Sequence, residues 1–257
     1  MHQAQAILAD PKLLKALQQL VHQAGEAIMQ VYQTADFGIE TKKDDSPVTK
    51  ADLDAHYLLV DGLAKLTPHI AIVSEEDPAS QIVPQTHNCY WLIDPLDGTK
   101  EFINRNGQFT VNLALIEDNA PSFGFVSTPI DQTLYWGGKQ LGAWRWRDDS
   151  IEPLKTQAHQ SPQRVVASKS HLNDATRDFI TNLGHTTLVQ AGSSLKLLRI
   201  AEGEADIYPR LAPTCEWDTA AAQAVLEGAG GKVTQEDGSL MEYGKVDILN
   251  PHFVASS

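Results

Sequence analysis

The hydrophobic pattern of the first quarter of the chain predicts two amphipathic helices. Apolar residues recur at helical spacing over residues 11–33, directly behind an Asp-Pro pair of the kind that begins a helix. Residues 36–48 are polar and predict a loop or hairpin. Thr49 and Asp52 then fit a capping box with Asp in place of Glu, so a second helix should run to about Leu66.

Short apolar runs bounded by turn residues follow, and they predict the strands of an antiparallel sheet. These runs lie at 70–77, 89–94, 109–116, 123–128, 133–136 and 142–146.

The pattern changes after the segment DDSIEP at 148–153, beyond which strand and helix signals alternate. Strands are predicted at 163–168, 186–189, 205–208 and near 232 and 247, and helices at 173–183, 194–202 and 217–228. Such alternation is typical of layered α/β structure. We therefore predict a boundary near 150–160, which divides the chain into parts 1–155 and 156–257.

Composition and charge exclude several classes of function. The chain has 257 residues, 42% of them hydrophobic and 21% charged, which are globular values. The net charge is −13 without any Lys/Arg-rich block, which argues against a nucleic-acid polymer as partner. No apolar run has the length of a membrane span, and the first twenty residues lack the features of a signal peptide. Together with Cys89 and Cys215, interpreted as reduced thiols, this predicts a cytoplasmic protein.

Six acidic residues stand at the ends of predicted elements. Five follow apolar strands and the sixth begins an Ala-rich helix: Glu75, Glu76, Asp77, Asp94, Asp97 and Asp218. For any single acid, helix capping or a solvated loop is a sufficient explanation. As a group, they also suit Mg²⁺, which takes few protein carboxylates and shares phosphate oxygens of a substrate.

The segment WLIDPLDGTKEF at 91–102 strengthens the metal interpretation. Pro95 rules out a regular helical turn between the two aspartates, and Gly98 allows close approach of a ligand. The short helix that opens at Thr99 would offer free N–H groups to an anion. Several carboxylates can hold two ions about 3.5–4 Å apart.

A competing class of phosphatase is excluded by the same segment. Haloacid-dehalogenase-type enzymes carry Asp-x-Asp-Gly-Thr, in which the first Asp attacks phosphorus. Here Pro95 occupies that position, so the attack must come from elsewhere, most simply from a metal-activated water.

Three motifs resemble those of one family, in the same order and across nearly the whole chain. They are SEED at 74–77, DPLDGTKEF at 94–102 and WDTAAA at 217–222. The sequence resembles the Mg²⁺-dependent, Li⁺-sensitive phosphatases of the inositol monophosphatase family. Within that family, GSSLK at 192–196 and FTVNLALI at 109–116 are similar to the 3′(2′),5′-bisphosphate nucleotidases.

The resemblance implies a layered αβαβα sandwich of two subdomains with the site between them. It also implies two or three Mg²⁺ ions. The implied metal ligands are Glu75, Asp94, the carbonyl of Leu96, Asp97 and Asp218. Of these, Glu75, Leu96, Asp97 and Asp218 would also contact the substrate. Asp52 and Thr99 fall where the family orients or activates the attacking water. The amides of Gly98 and Thr99 would hold the scissile phosphate. Glu76 would contact the metal ligands without binding the metal itself.

The predicted choice of substrate depends on the second half of the chain. Ser193 and Ser194 open a helix whose first turn carries Lys196, which could face a second phosphate. Arg210 stands near the place where inositol-binding relatives resemble one another in carrying a Glu, and it could form a bidentate fork on phosphate. By the same resemblance, Ser170 and His171 would contact the nucleotide.

The expected activity is hydrolysis of the 3′-phosphate of adenosine 3′,5′-bisphosphate (PAP) to AMP, with the sulfated analogue PAPS treated likewise. This would remove a by-product of sulfate assimilation. The alternatives are an inositol or sugar monophosphatase of the same family and, in another class, a non-catalytic divalent-ion-binding protein on the same scaffold. The resemblance also allows peripheral attachment to the cytoplasmic face of the inner membrane, while oligomeric state stays open.

Overall fold

Helices and strands alternate in layers in the computed structural model, which describes residues 2–42, 45–158, 161–167 and 173–257. The α-helices are α1 (Gln3–Ala9), α2 (Pro11–Tyr32), α3 (Lys50–Leu66), α4 (Thr99–Ile103), α5 (Asp174–Asn182), α6 (Leu195–Ala201) and α7 (Glu216–Gly228), and a 3-10 helix covers Pro78–Gln85. The strands are β1 (Glu40–Thr41), β2 (Pro47–Val48), β3 (Ala71–Ser74), β4 (Cys89–Asp97), β5 (Thr110–Glu117), β6 (Ala120–Thr128), β7 (Thr133–Gly138), β8 (Gly142–Arg147), β9 (Ser150–Pro153), β10 (Gln163–Ala167), β11 (Thr186–Gln190), β12 (Ile207–Arg210), β13 (Lys232–Gln235) and β14 (Phe253–Ser256).

The first large sheet has seven strands in the order of the chain, β3 to β9. Strand β3 is parallel to β4, and every later neighbour is antiparallel. Both faces of this sheet are covered. Along β4, Trp91 and Ile93 face one hydrophobic core while Tyr90 and Leu92 face another, as the two-residue period of a strand requires.

The second sheet has the strand order β11-β10-β12-β14-β13. Strands β10, β11 and β12 are parallel, and β14 is antiparallel to both of its neighbours. The crossovers through α5 and α6 run in opposite directions along the sheet. Because such crossovers are right-handed, the two helices lie on opposite faces.

The layers follow from which helices pack on which sheet. Helices α2 and α3 cover one face of the first sheet, and α6 and α7 lie between the two sheets. Helix α5 lies on the outer face of the second sheet, against β12. The predicted αβαβα sandwich is thus confirmed.

Helix α7 packs unusually close to the first sheet. A methyl group added at Gly124, in β6, would lie 2.3 Å from the carbonyl oxygen of Ala221. Since real Cβ atoms do not come that close, only glycine permits this approach of helix and strand. The packing fixes the helix that carries Asp218.

The predictions for the long elements are confirmed, and those for the short ones are less accurate. Helix α1 was missed because only Ala4 and Ile7 of its seven residues are buried, too few for a periodic signal. Strand β9 was also missed, because all four of its side chains are exposed. The strand predicted near 247 is wrong: the chain there has no strand, and β14 begins at Phe253.

The core between the sheets takes side chains from both sides of the predicted boundary at 155, among them Leu92 and Val166. The division into 1–155 and 156–257 therefore stays a prediction. Among the helices of the described ranges, each is too short or too polar to cross a membrane.

Candidate active site

Three carboxylates meet where β4 ends and α7 begins. One oxygen each of Asp94, Asp97 and Asp218 lies within 4.8 Å of the others. Asp94 and Asp97 lie on either side of an irregularity in the pairing of β4 with β5. Asp218 is in the first turn of α7. The fold thus brings together acids that are more than a hundred positions apart in the sequence.

The chain between the two aspartates is held by short-range contacts. The backbone N–H of Leu96 donates to Oδ1 of Asp94 at 3.1 Å, and the side chain of Leu96 is buried. Gly98 has a φ of +96°, in the left-handed region that favours glycine, and a Cβ there would lie 3.1 Å from the carbonyl oxygen of Gln108. This conformation starts α4 directly after Asp97.

Burial and repulsion from neighbouring acids disfavour the charged forms of Asp94 and Asp218. Burial, followed by the charges of Glu75, Asp97 and Asp218, raises the pKa of Asp94 well above its ordinary value. Burial and then the charge of Asp97 raise the pKa of Asp218 to about 8. A cation among them would relieve both effects. With oxygen-only donors this close together, the residues fit a hard divalent ion.

Glu75 and Glu76 share one lysine that sequence reasoning missed. Nζ of Lys42 donates to Oε1 of Glu75 at 2.7 Å and to Oε1 of Glu76 at 2.6 Å. Burial lowers the pKa of Lys42, but the two glutamates raise it by more. Burial raises the pKa of Glu75, and Lys42 opposes that shift. Lys42 stands in the polar 36–48 segment, where no local pattern distinguishes it from a surface lysine.

Thr99 and Asp52 lie next to the carboxylate cluster and are bonded to each other. Oγ1 of Thr99 donates to Oδ1 of Asp52 at 3.1 Å. The other oxygen of Asp52 accepts from the backbone N–H and the hydroxyl of Thr49, at 2.7 and 2.6 Å, which is the predicted capping box of α3. Asp52 is 1% exposed, and this burial raises its pKa. The cap of one helix therefore orients a hydroxyl at the start of another.

Asp97 is bonded to the GSSLK segment from across the site. Its Oδ2 accepts from Oγ of Ser193 at 2.6 Å, and from the backbone N–H and Oγ of Ser194 at 2.7 and 3.0 Å. Asn112 lies at 3.5 Å on the same oxygen, and Thr110 bonds Ser193 at 2.7 Å. Ser193 holds a φ of +48°, which is uncommon outside glycine and arises at functional sites.

A cavity of about 140 Å³ opens beside these residues. Lys196 and Arg210 line it together with Asp97, Gly98 and Asp218. The predicted second-phosphate residues thus line the same cavity as two of the three clustered acids. The cavity is also lined by residues that were not predicted from the sequence, among them Glu101, Tyr208 and Thr214.

Lys196 is buried at the base of the first turn of α6. Its Nζ donates to the carbonyl oxygen of Ser193 at 2.7 Å and lies 5.6 Å from the ring centroid of Tyr208. Burial lowers its pKa to about 8, although Asp97 opposes the shift. An anion in the cavity would favour the charged form of this lysine.

Arg210 ends β12 at the mouth of the same cavity. Its Nη2 donates to the carbonyl oxygen of Pro213 at 2.8 Å. Its Nε is buried and has no hydrogen-bond partner among the described residues. A buried guanidinium N–H without a protein acceptor suits an anionic ligand.

A comparison with family models decides the relationship of the chain. The model of the inositol monophosphatase family matches residues 10–257. The chain belongs to the inositol monophosphatase family.

Curated members of the inositol monophosphatase family align over almost the whole chain. The 3′(2′),5′-bisphosphate nucleotidase CysQ of Salmonella typhimurium is 43% identical over 244 residues, covering 94% of this chain and 98% of that protein. The protein of the same name from Escherichia coli K12 is 42% identical over 247 residues, covering 95% and 99%.

Solved structures of the family share the fold. CysQ from Bacteroides thetaiotaomicron matches with a TM-score of 0.83 and 36% identity, covering 95% of this chain and 96% of that one. An IMPase from Thermotoga maritima, at 24% identity and a TM-score of 0.77 over 95% and 91% of the chains, is similar in fold.

The inositol monophosphatase family is metal-dependent, and the acidic cluster described above is where its motifs meet. Glu75 lies outside the set of three close carboxylates, beside Asp94, while Glu76 contacts Lys42. Ser170 and His171 lie outside the described residues.

A larger groove of about 450 Å³ lies elsewhere, between α2 and strands β7–β9. Its lining includes Lys15, His22, Trp136 and Trp146. It does not include any residue of the acidic cluster, so the smaller cavity is the candidate active site.

Proposed function

We propose that the protein is a 3′(2′),5′-bisphosphate nucleotidase that hydrolyses the 3′-phosphate of PAP to give AMP and phosphate, and treats PAPS likewise. The observation that carries this proposal is the shared cavity. Lys196 and Arg210 face the same space as Asp97 and Asp218, so a second phosphate can be bound beside the acidic cluster. The CysQ relatives, at 42–43% identity, bear the name of this activity.

We propose that the metal is Mg²⁺, with two or three ions bound, and the oxygen-only donor set supports a hard divalent ion of this kind. Asp94, Asp97, Asp218, Glu75 and the carbonyl of Leu96 would hold it. When bound, Mg²⁺ supplies charge that screens the phosphate and lowers the pKa of a water molecule. The raised pKa values of Asp94 and Asp218 support this assignment, because crowded buried carboxylates are stabilised by a cation.

Thr99 and Asp52 are proposed to orient the attacking water. Since the Thr99 hydroxyl donates its hydrogen bond to Asp52, the lone pairs of its oxygen can accept a hydrogen bond from water. Asp52 can receive a proton through that hydroxyl as the water attacks. The backbone amides of Gly98 and Thr99 would hold the scissile phosphate.

The second phosphate, at the 5′ position, is assigned to Lys196 and Arg210, with Ser193 and Ser194 at the start of α6. Burial lowers the pKa of Lys196 to about 8, a shift that a bound anion would oppose, and Arg210 keeps a buried N–H without an acceptor among the described residues. Both features favour an anion over an uncharged polyol. Ser170 and His171 stay predicted contacts of the nucleotide.

The decisive experiment is a substrate comparison with purified protein and Mg²⁺. We expect kcat/KM for PAP to exceed that for inositol 1-phosphate by at least about a hundredfold, the size expected of one or two charged hydrogen bonds. Preference for the inositol ester would instead support an inositol or sugar monophosphatase.

Two further measurements complete the test. Phosphate release should require Mg²⁺ and should be inhibited by Li⁺. Binding of Mg²⁺ without phosphate release from any ester would support the non-catalytic alternative. Action in the cytoplasm, with or without peripheral attachment to the inner membrane, stays a prediction that fractionation of cells would test.

A further inference from the structure

A short segment, residues 243–250, lies against the start of α7, and we call it the strap. Glu216, the first residue of α7, accepts hydrogen bonds from the backbone N–H groups of Gly244 at 2.8 Å and Lys245 at 3.1 Å. The ammonium group of Lys245 also donates to Glu216. Three donors from the strap therefore converge on one carboxylate.

Asn250, the last residue of the strap, bonds to the chain around the start of α7. Its backbone N–H donates to the carbonyl oxygen of Thr214 at 2.8 Å. Its side-chain amide donates to the carbonyl oxygen of Cys215 at 2.8 Å and to Oγ1 of Thr219 at 3.0 Å. The backbone N–H of Glu216 donates back to Ile248 at 3.0 Å.

Polar contacts hold the middle of the strap to the start of α7, while Tyr243 at the beginning of the strap is 1% exposed and packs in the core between the sheets. Val246 is 88% exposed and Leu249 is 47% exposed, whereas Glu216 is 3% exposed. A buried carboxylate is costly unless it is fully paired, and an apolar residue would serve packing as well. The three hydrogen bonds that Glu216 accepts from the strap therefore indicate a role in positioning the chain.

The stretch that the strap holds carries two parts of the candidate active site. Thr214 lines the cavity, and Asp218 belongs to the carboxylate cluster. Oδ2 of Asp218 accepts from the backbone N–H of Cys215 at 2.8 Å, so its orientation follows that of the residue beside Glu216. The strap thus contacts the same short segment, residues 214–219, that contributes Thr214 and Asp218 to the site.

We propose that Glu216 is a positioning residue that, through the strap, sets the place of Asp218 relative to Asp94 and Asp97. Metal affinity then depends on a carboxylate that does not itself bind the metal. This inference rests on the proposed metal site.

The test is direct binding of Mn²⁺, as a spectroscopic probe for Mg²⁺, to the full-length protein without substrate. Free Mn²⁺ is measured by electron paramagnetic resonance. Glu216→Gln should raise the Kd by about tenfold or more, the effect typical of residues that orient metal ligands. Lys245→Met should act in the same direction, and Lys245→Arg should stay close to wild type because it keeps the charge.

Asp206 provides a matched control for folding. It is 1% exposed and accepts from the backbone N–H of Arg164 at 2.7 Å and from its guanidinium at 2.6 Å. It directly precedes β12, at the opposite end of that strand from Arg210. Asp206→Asn should lower the Tm and leave the Mn²⁺ Kd unchanged.

The outcomes separate this inference from the metal proposal. A Glu216→Gln protein that loses Tm like Asp206→Asn but keeps the wild-type Kd would overturn the positioning role. Wild-type protein that binds Mn²⁺ no better than Asp218→Asn would overturn the metal site itself, and this inference with it. If Glu216→Gln does not fold, the two Lys245 variants decide: equal Kd values for Met and Arg would overturn the role.

Discussion

Ser194 donates two hydrogen bonds to one oxygen of Asp97, from its backbone N–H at 2.7 Å and from its hydroxyl at 3.0 Å. Its hydroxyl also lies 2.9 Å from the carbonyl oxygen of Asp218. A residue predicted to face the substrate therefore also links two acids of the metal site. The segment that would select the substrate and the residues that would hold the metals are one bonded unit.

We predict that Ser194→Ala lowers kcat/KM for bisphosphate and monophosphate substrates by a similar factor, about tenfold. The backbone contact to Asp97 remains, while one donor to this half-buried carboxylate is lost, which costs about 1–3 kcal/mol. The measurement is kcat/KM for PAP and for adenosine 3′-phosphate. Ser122→Ala, which removes a hydroxyl that donates to the backbone carbonyl of Leu115, is the control. A loss confined to PAP would contradict the shared role.

Replacing Lys196 or Arg210 by Ala should discriminate between the same two substrates. Each variant should lose about 10–100-fold in kcat/KM for PAP, since hydrogen bonds to charged groups contribute about 1.5–3 kcal/mol. Adenosine 3′-phosphate lacks the second phosphate, so its turnover should change little. Arg177→Ala, on the exposed face of α5, is the control. Equal losses on both substrates would remove the assigned role.

Thr99→Val should reduce kcat with little change in KM. The isosteric change removes the hydroxyl that links Asp52 to the attacking water, and general acid–base groups contribute about 10²–10⁴-fold. Steady-state kinetics with PAP measure both constants. Mn²⁺ binding provides the control, because Thr99 is not assigned as a metal ligand. A variant with wild-type kcat would exclude Thr99 and Asp52 from the reaction.

The metal-free protein should lose stability as pH rises. Burial and then Asp97 raise the folded pKa of Asp218 from 3.8 to about 8, so folding favours the protonated carboxyl. That contribution is complete below about pH 4, the pKa of an unfolded Asp, and is lost as pH rises through about 8. The Tm of the wild type should therefore fall relative to that of Asp218→Asn as pH rises from 5 to about 8.

Mg²⁺ should reverse that loss in the wild-type protein, because metal binding requires the deprotonated carboxylate and strengthens with pH. Thermal unfolding with a chelator and with Mg²⁺, across the same pH range, measures both effects. A Tm difference between the two proteins that does not vary with pH would show that Asp218 is not titrating in this range.

Much of the fold and the acidic part of the site could be predicted because their signals are local. The capping box of Thr49 and Asp52 marks the start of α3, and Asp94 and Asp97 stand in a motif with an unusual proline between them. These features depend on neighbours within a few positions. The helix or strand to which such a residue belongs can therefore be inferred from the local sequence, without knowledge of the tertiary packing.

The contacts across the site could not be predicted, because they join distant parts of the chain. Lys42 reaches Glu75 and Glu76 from a polar segment more than thirty positions earlier. Ser193 meets Asp97 only because α6 and β4 lie in adjacent layers. Strand β14 was misplaced for a related reason. The residues just before it form the strap, which is held by hydrogen bonds from Gly244 to Glu216 and from Asn250 to the carbonyl oxygen of Cys215.

The close approach of Gly124 to Ala221 has a consequence for mutations at Gly124. A single methyl group in the middle of the first sheet would force α7 outward, and Asp218 would move with it. In a genetic screen for loss of phosphatase activity, Gly124→Ala should then score as a metal-site lesion although it touches neither substrate nor ion. Excess Mg²⁺ in the growth medium should partly rescue it, as it would a weakened ligand.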